Sequence, residues 1–300
     1  MSTWKIGDVT VTSIVESDLK GILGMVLPDA TAEALKKIEW LFPQFVDGNG
    51  EMLGCVQAFV IQTPTRRIIV DTCIGNDKNR DLVLPLWSKL QTSFLDDLAA
   101  AGFPPETIDT VLCTHLHLDH VGWNTRLVEE SWIPTFPKAR YLFGRTEFEF
   151  WQREVAGGAD ATSQDGAHQI MVAGEKIVFS DSIKPILDAG LADLVETNHR
   201  ICDEISLIPT FGHTPGHVSV HIVSNGEQGL ITGDFLHHPC QIAHPEWASI
   251  SDTDKLQSAD TRRRMFADLA NAPVLVIGTH FAPPTAGHIV RDADAYRFHV

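Results

Sequence analysis

The sequence lacks several features that would place the protein in a broad class. No apolar run approaches the roughly 20 residues that a membrane-spanning helix needs. Five cysteines, an odd number without CxxC spacing, argue against a secreted disulfide scaffold. The first residues alternate polar and apolar side chains like a strand, and they lack the charged and apolar regions of a signal peptide. We therefore expect a cytoplasmic protein.

Basic residues are scarce as well. The chain has 23 lysines and arginines against 39 aspartates and glutamates, which gives a formal net charge of −16 with histidine neutral. This balance offers neither a phosphate-binding surface nor a polybasic membrane patch. We expect no nucleic-acid partner and no membrane partner, which leaves a small-molecule substrate.

Alternating strand and helix signals run along the chain without an internal repeat or a long Pro/Gly/Ser-rich linker. CVQAFVIQ and RRIIVDT flank a Thr-Pro-Thr turn and predict one hairpin, and HVSVHIVS with QGLITGD predicts another across Asn225-Gly226. Helices are predicted at Thr31–Phe42, Trp87–Leu98 and Asp254–Leu269. The strands fall into two groups along the chain, and each group is followed by a helix. This order indicates two packed sheets with outer helices in a single domain.

The clearest chemical signal is the segment THLHLDH, residues 114–120, directly after the apolar strand TVLC. It holds four metal-ligand side chains within six residues: His115, His117, Asp119 and His120. Alternate residues of an extended segment point the same way, so His115 and His117 can bind one ion while the other two face a second. Imidazole and carboxylate are the donors expected for zinc, iron, cobalt or manganese.

Three further candidate ligands follow apolar strands. His213 lies in the Gly/Pro-rich turn TFGHTPGH, Asp234 ends the strand GLITGD, and His280 follows VLVIGT. Loops at the carboxyl ends of several strands can converge on one site, and two ions about 3.5–4 Å apart could share Asp234. The expected ligand sets are His115, His117 and His213 for one ion, and Asp119, His120 and His280 for the other.

The motif HxHxDH followed by isolated His, Asp and His resembles the metallo-β-lactamase-fold hydrolase superfamily, and the resemblance spans Asp71 to His280. It implies an α/β fold, an αββα sandwich of two mixed β-sheets with outer helices, in one domain over residues 1–300. It also implies two divalent metal ions, with zinc expected and manganese, iron or cobalt as alternatives. Asp71 resembles the family's strand-end aspartate that orients a metal-bound histidine.

Within the superfamily, the chain looks most like the lactonase and methyl parathion hydrolase-like branch. True zinc β-lactamases usually have something other than aspartate at the position of Asp234, and oxygen-reducing relatives replace His117 with glutamate. The apolar segment 22–52 is consistent with an insertion that covers the site in this branch, and equally with core packing or a homodimer contact. Acyl-homoserine lactonases commonly have a tyrosine three residues after the bridging aspartate, where this chain has His237.

The resemblance implies a dimetal hydrolase that uses a metal-bound hydroxide on a lactone, aryl ester or organophosphate-like substrate. Asp119 and Asp234 could pass a proton to the leaving oxygen, and His237 could donate to the carbonyl oxygen. We therefore predict these three as catalytic residues. The alternatives are a mononuclear iron persulfide dioxygenase-like oxidoreductase and a β-lactam or thioester hydrolase.

Other polar residues are expected to have structural roles. His217 is predicted to make a structural hydrogen bond, and His238 is less favoured than His237 for a catalytic or substrate-binding role. Glu147 is expected on a solvated helix face, and Arg262 in a solvated helix turn.

Overall fold

The structure is a computed structural model that describes residues 1–157 and 166–300, and the side chains of these residues apart from 166–168. The strands are β1 Thr3–Ile6, β2 Val9–Asp18, β3 Cys55–Gln62, β4 Arg67–Val70, β5 Thr110–Leu112, β6 Thr125–Val128, β7 Ser131–Pro134, β8 Arg140–Gly144, β9 Ala192–Val195, β10 Ile205–Pro209, β11 Val218–Ser224, β12 Glu227–Ile231, β13 Val274–Ile277, β14 Ala286–Asp292 and β15 Ala295–His299. The helices are α1 Leu23–Val26, α2 Ala32–Leu35, α3 Phe94–Ala100, α4 Arg145–Val155, α5 Gly166–Val178, α6 Lys184–Asp188, α7 Cys240–Ala243 and α8 Lys255–Leu269. Among these helices, none is long and apolar enough to cross a membrane.

Most of the strands form two mixed sheets. The first has seven strands in the order β1-β2-β3-β4-β5-β8-β9, and the second has six, β10 to β15, in chain order. The first sheet is antiparallel as far as β4 and parallel from β4 to β9, whereas in the second only β12 and β13 pair in parallel. Strands β6 and β7 form a separate hairpin.

Both faces of the central strands are buried, which explains their nearly continuous apolar runs. In β4, Ile68 and Val70 join the core between the two sheets, while Ile69 joins the apolar cluster on the opposite face. That outer cluster includes Phe94 and Leu98 of α3, and α8 lies against β14 of the second sheet. The predicted sandwich with helices on its outer faces is therefore confirmed.

Two predicted helices are shorter in the structure than their sequence pattern suggests. Within Thr31–Phe42 only α2 and a 3-10 turn at Glu39–Leu41 form, because Ile38 leaves helical geometry with φ −107° and ψ 76°. This break allows the core to bury Ile38 together with Leu35 and Leu41. Tertiary burial thus overrides the local helical pattern.

The segment Trp87–Leu98 is interrupted for a different reason. Trp87 ends a 3-10 turn, and α3 begins only at Phe94. Between them Asn76 holds the chain in a loop, since its Oδ1 accepts a hydrogen bond from Thr92 N at 2.7 Å and its Nδ2 donates to Thr92 O at 3.1 Å. Side-chain bonds to the backbone compete with helix formation in this way.

Glu147 of α4 is buried and joins loops of the two sheets, so its expected place on a solvated face is wrong. Its Oε1 accepts hydrogen bonds from Leu116 N at 3.2 Å and Trp151 Nε1 at 2.8 Å, and its Oε2 accepts one from Gly216 N at 3.1 Å. Leu116 follows β5 of the first sheet, and Gly216 precedes β11 of the second. A side chain at Gly216 would lie 2.2 Å from the Glu147 backbone nitrogen, so only glycine permits this approach.

We expect Glu147→Gln to lower the free energy of unfolding by about 1–3 kcal/mol, because the new amide group presents a donor to one of three buried N–H groups. Denaturant titration measures this change. Glu149→Gln, an exposed residue of the same helix, is the control and should stay within about 0.5 kcal/mol. Equal stability of the two variants would contradict the structural role of Glu147.

Candidate metal centre

The predicted ligands all follow strand ends at one edge of the sandwich. The 114–120 loop follows β5, His213 follows β10, Asp234 follows β12, and His280 follows β13. Strands β4 and β5 run in parallel, as do β12 and β13, so their carboxyl ends share an edge within each sheet. Each of these ligand side chains is buried except that of Asp119, which is 15% exposed.

All seven predicted ligands come together in one cluster. The ring nitrogens and carboxylate oxygens of these residues form overlapping groups of three. Within each group, the donor atoms lie within 4.8 Å of one another. Two of these groups are the sets expected from the sequence: His115, His117 and His213, and Asp119, His120 and His280. Residues that are separated by up to 165 positions thus meet at one place because both sheets end there.

Asp234 lies between the two groups. Its Oδ1 is 3.2 Å from His280 Nε2, and its Oδ2 is 3.4 Å from His120 Nε2 and 3.7 Å from His213 Nε2. Burial alone would raise the pKa of Asp234, but the facing imidazoles of His120 and His280 hold it well below its usual range. A carboxylate that reaches both groups has the placement that a bridging ligand requires.

Asp71 orients His120. Its Oδ2 is 2.9 Å from His120 Nδ1, and its two oxygens accept hydrogen bonds from the Thr114 backbone N–H at 2.8 Å and hydroxyl at 2.9 Å. The Asp71 backbone has φ 56°, a left-handed conformation that turns the chain sharply at the end of β4. These contacts match the orienting role that the family resemblance implies for Asp71.

Asp252 orients His213 in the same way, a role that no sequence pattern indicates. Its Oδ1 is 2.9 Å from His213 Nδ1, and its Oδ2 accepts a hydrogen bond from Ser249 N at 3.1 Å. Burial opposes a charge here, but the hydrogen bond with His213 lowers the pKa of Asp252 to about 2. In the sequence Asp252 is indistinguishable from Asp254, which caps α8 by accepting from Gln257 N.

Arg262 is buried behind Asp252, so its expected place in a solvated turn is wrong. Its Nη1 is 3.6 Å from Asp252 Oδ2 and donates to Ser258 Oγ at 2.8 Å, while its Nε donates to Pro245 O at 2.7 Å. Ser258, Arg262 and Phe266 recur every four residues, which places them on the buried face of α8. The guanidinium thereby balances the charge of the carboxylate that holds His213.

The cluster fits a metal site. Within the described residues, Nε2 of His120 is buried without a hydrogen-bond partner, although buried polar atoms usually have one. His117 faces the other rings through Nδ1, which lies 3.1 Å from His115 Nε2 and 3.0 Å from His213 Nε2. Burial lowers the pKa of His115 and His117 well below the usual range, so both rings are neutral, which is the form that binds metal. Around His120 burial acts in the same direction, but Asp234 and the other carboxylates raise its pKa and favour a positive charge there.

His237 lies beside this cluster. Its Nε2 is 3.2 Å from Asp234 Oδ2, and it forms a further group of possible donors with His213 and Asp234. The backbone of His237 is held by Gln241, whose Oε1 accepts a hydrogen bond from His237 N at 2.7 Å. Gln241 lies on the next helix, so no local sequence pattern could reveal this constraint.

The neighbouring histidines have structural contacts. His238 turns away from the cluster, with its Nε2 2.9 Å from Phe45 O. His217 Nε2 accepts a hydrogen bond from Asp234 N at 2.7 Å, and its Nδ1 lies 3.1 Å from Thr210 O. The structural hydrogen bond predicted for His217 is confirmed, and it holds the backbone of the central aspartate.

A cavity of about 410 Å³ opens onto the cluster. Its polar end is formed by His117, Asp119, Asp234, His237 and His280. Most of the remaining wall is apolar and comes from the stretch 19–26, the stretch 83–87 and helix α5. The start of the predicted insertion 22–52 therefore lines the cavity, whereas its later residues Leu41 and Phe45 are buried in the core.

Comparison with known proteins gives the same family. The metallo-beta-lactamase superfamily model matches residues 54–280. The N-acyl homoserine lactonase AttM of Rhizobium radiobacter is 27% identical over 202 residues, which cover 65% of this chain and 66% of that protein. The match therefore spans just under two thirds of the length of this curated relative.

Two solved structures share the fold over nearly the whole chain. AidC, a dizinc quorum-quenching lactonase in complex with a product, has a TM-score of 0.77 at 20% identity, covering 99% of this chain and 96% of that chain. The hydrolase AbOPH of the beta lactamase superfamily has a TM-score of 0.79 at 24% identity, covering 99% and 95%. All three relatives are lactonases or hydrolases, in agreement with the predicted enzyme. Since the family model covers well over half of the chain, the protein belongs to the metallo-beta-lactamase superfamily, as its motif predicts.

Proposed function

We propose that the protein is a metal-dependent hydrolase that cleaves an uncharged lactone or ester with an apolar chain. The observation that carries this proposal is the cavity, whose polar end is the ligand cluster and whose walls are largely apolar. Such a cavity with a few convergent polar groups is the usual form of a small-molecule site. Among the described residues that line the cavity there is no lysine or arginine, so the wall offers no basic partner to an anionic substituent of the substrate.

Two divalent ions are the proposed cofactors, with zinc as the proposed metal. One ion would be held by His115, His117 and His213, the other by Asp119, His120 and His280, with Asp234 between them. When bound, the ions would lower the pKa of a water molecule and polarise the scissile carbonyl. The proposal is supported by the groups that the donor atoms already form.

The chain's own side chains orient this centre and move protons. Asp71 and Asp252 hold His120 and His213 through Nδ1, which leaves Nε2 of each ring facing Asp234. Asp119 lines the cavity and is the most exposed member of the cluster. We assign the proton that the leaving oxygen needs to Asp119 Oδ1, because Asp119 Oδ2 lies 3.7 Å from His120 Nε2 and 3.6 Å from His280 Nε2 and would bind the ion. Asp234 stays ionised, since its pKa is held well below the usual range, so it acts as a ligand rather than as an acid.

His237 is the proposed hydrogen-bond donor to the substrate. It lines the cavity, and its Nε2 lies 3.2 Å from Asp234 Oδ2. A donor beside the reacting carbonyl stabilises the charge that develops on its oxygen in the transition state. His237 would thereby occupy the role of the tyrosine in acyl-homoserine lactonases.

A cytoplasmic location is also proposed. The described cysteines Cys55, Cys73, Cys113, Cys202 and Cys240 are all free, which supports a reducing compartment. A homodimer stays a prediction from the sequence.

Elemental analysis after reconstitution should return two divalent ions per chain, because seven ligands exceed the needs of one tetrahedral ion. The same protein should hydrolyse lactones or aryl esters without consuming oxygen. One iron per chain together with oxygen uptake on a thiol persulfide would instead support the dioxygenase alternative.

Replacing the carboxylate of Asp234 should remove the group that the two proposed ions share. Asp234→Asn is expected to weaken binding of at least one ion and to remove most of the turnover, because an amide cannot supply negative charge to both groups. Metal content and kcat are the measurements. His221→Ala is the control, since this residue of β11 contacts Gln228 at 3.0 Å and should keep both ions. Full metal content and activity in Asp234→Asn would refute the bridging assignment.

His237→Ala should lower kcat by about 10²–10³-fold, the usual effect of removing one such donor, while both ions stay bound. The measurement is kcat on the best substrate together with metal content. His238→Ala, whose ring faces Phe45 instead, should lower stability without this loss in kcat. An unchanged kcat for His237→Ala would exclude the donor role, and loss of metal would identify His237 as a ligand.

The substrate class is tested with metal-quantified protein on acyl lactones, aryl esters, phosphotriesters and β-lactams. We expect the highest kcat/KM for a lactone or ester, rising with the length of its apolar chain until the cavity is filled. Hydrolysis of β-lactams alone would contradict the proposal.

A further inference from the structure

The apolar wall of the cavity contains one acid that the proposed reaction does not use. Glu175 of α5 lines the cavity and is only 3% exposed. Its Oε2 is buried without a hydrogen-bond partner in the described part of the chain. Met171 lies one turn earlier on α5 and lines the same cavity, so this face of the helix is directed at the cavity.

A carboxyl group in this position is unfavourable for folding. Transfer of a polar group into apolar surroundings is costly unless it is hydrogen-bonded, and an unpaired charge is far more costly, so the group is held as the neutral acid. Burial raises the pKa of Glu175 well above its usual range, and the carboxylate of Glu147 adds to the rise, while Arg80 opposes it. A leucine would fill the same wall without this penalty.

The neutral acid offers one O–H donor to whatever enters the cavity. Its natural partner is an uncharged oxygen acceptor, such as a carbonyl or hydroxyl oxygen. Neighbouring wall residues such as Leu84, Trp87 and Met171 offer the bound molecule mainly apolar contact. Among the described lining residues outside the polar end, the other side chains with a donor are Trp87 and Ser251, and the Ser251 hydroxyl already lies 2.6 Å from Ser249 Oγ. Glu175 is therefore the buried unpaired polar group that an oxygen of the bound chain can meet along this wall.

We propose that Glu175 is a specificity-determining residue that hydrogen-bonds a second oxygen of the substrate, a carbonyl or hydroxyl in the acyl chain away from the scissile bond. This inference rests on the proposed hydrolase function. It narrows the substrate class from apolar esters and lactones in general to those with an additional uncharged oxygen function in the acyl chain.

The first experiment compares two sets of aryl esters of equal chain length, one with a plain acyl chain and one with a keto oxygen placed at successive positions. The wild-type protein should prefer the keto ester at one position by about 3–10-fold in kcat/KM, as expected for one hydrogen bond between uncharged groups. Glu175→Leu should abolish this preference. Glu175→Gln should retain it, because the amide NH₂ also donates.

Glu149→Leu, the same substitution at an exposed position of α4, is the matched control and should keep the preference. A preference that survives in Glu175→Leu overturns the proposal. So does a preference that is lost in Glu175→Gln, because the amide NH₂ keeps a donor at this position and a preference that depends on a donor should survive.

A binding measurement separates this inference from the proposed reaction. A straight-chain methyl ketone should raise the Tm of the metal-loaded protein more than the alkene in which a methylene replaces the carbonyl oxygen. That difference should disappear in Glu175→Leu. If no ester or lactone is hydrolysed but the difference is present, the proposed function fails and the Glu175 site stands. If esters are hydrolysed and the difference is absent, the site is refuted.

Stability provides the last readout. Without ligand, Glu175→Leu should have a higher Tm than the wild-type protein, because it removes an unpaired buried acid from an apolar wall. If Glu175 only stabilised the fold, Glu175→Leu would have a lower Tm than the wild-type protein. A lower Tm combined with an unchanged keto preference would show that Glu175 serves the fold and not the substrate.

Discussion

The structure depends on the buried carboxylate of Asp234, which must be surrounded by positive or proton-donating groups to be stable. Neither sheet supplies these groups alone, since His120 comes from the first sheet and His213 and His280 from the second. The edge where the sheets end together is the place where one carboxylate can reach all three rings. The packing of the two sheets against each other therefore forms both the sandwich and the ligand cluster at its edge.

Three of the predicted ligand rings are held at Nδ1 by a partner that is distant in the chain. Asp71 holds His120, Asp252 holds His213, and the Cys55 carbonyl lies 3.0 Å from His280 Nδ1. A ring whose Nδ1 is held in this way presents Nε2 in a fixed direction. Two features that support these rings are unfavourable by themselves. Arg262 is a buried charge, and the backbone of Asp71 has a left-handed conformation.

The sequence predicts what local chemistry and strand spacing determine. Ligand-type residues after apolar strands indicate the cluster, and Asn225-Gly226 indicates a hairpin turn, which the structure forms with φ 50° and 82°. Asp252 and Glu147 could not be predicted, because a carboxylate in a helix or before one looks the same whether it is solvated or buried. Their roles depend on which surface packs against them, and that is a property of the complete fold.

The segments that line most of the cavity are separate from the strand ends that carry the predicted metal ligands. The cluster is built on strand ends, whereas the cavity wall comes from residues 19–26, the 83–87 turn and α5. These segments contain none of the seven predicted ligands, so their residues can differ while the ligand set stays the same. Family membership therefore identifies the chemistry of the site but not its substrate. A buried acid such as Glu175, which lines the cavity and whose Oε2 has no hydrogen-bond partner among the described residues, is the kind of feature from which a substrate can be proposed.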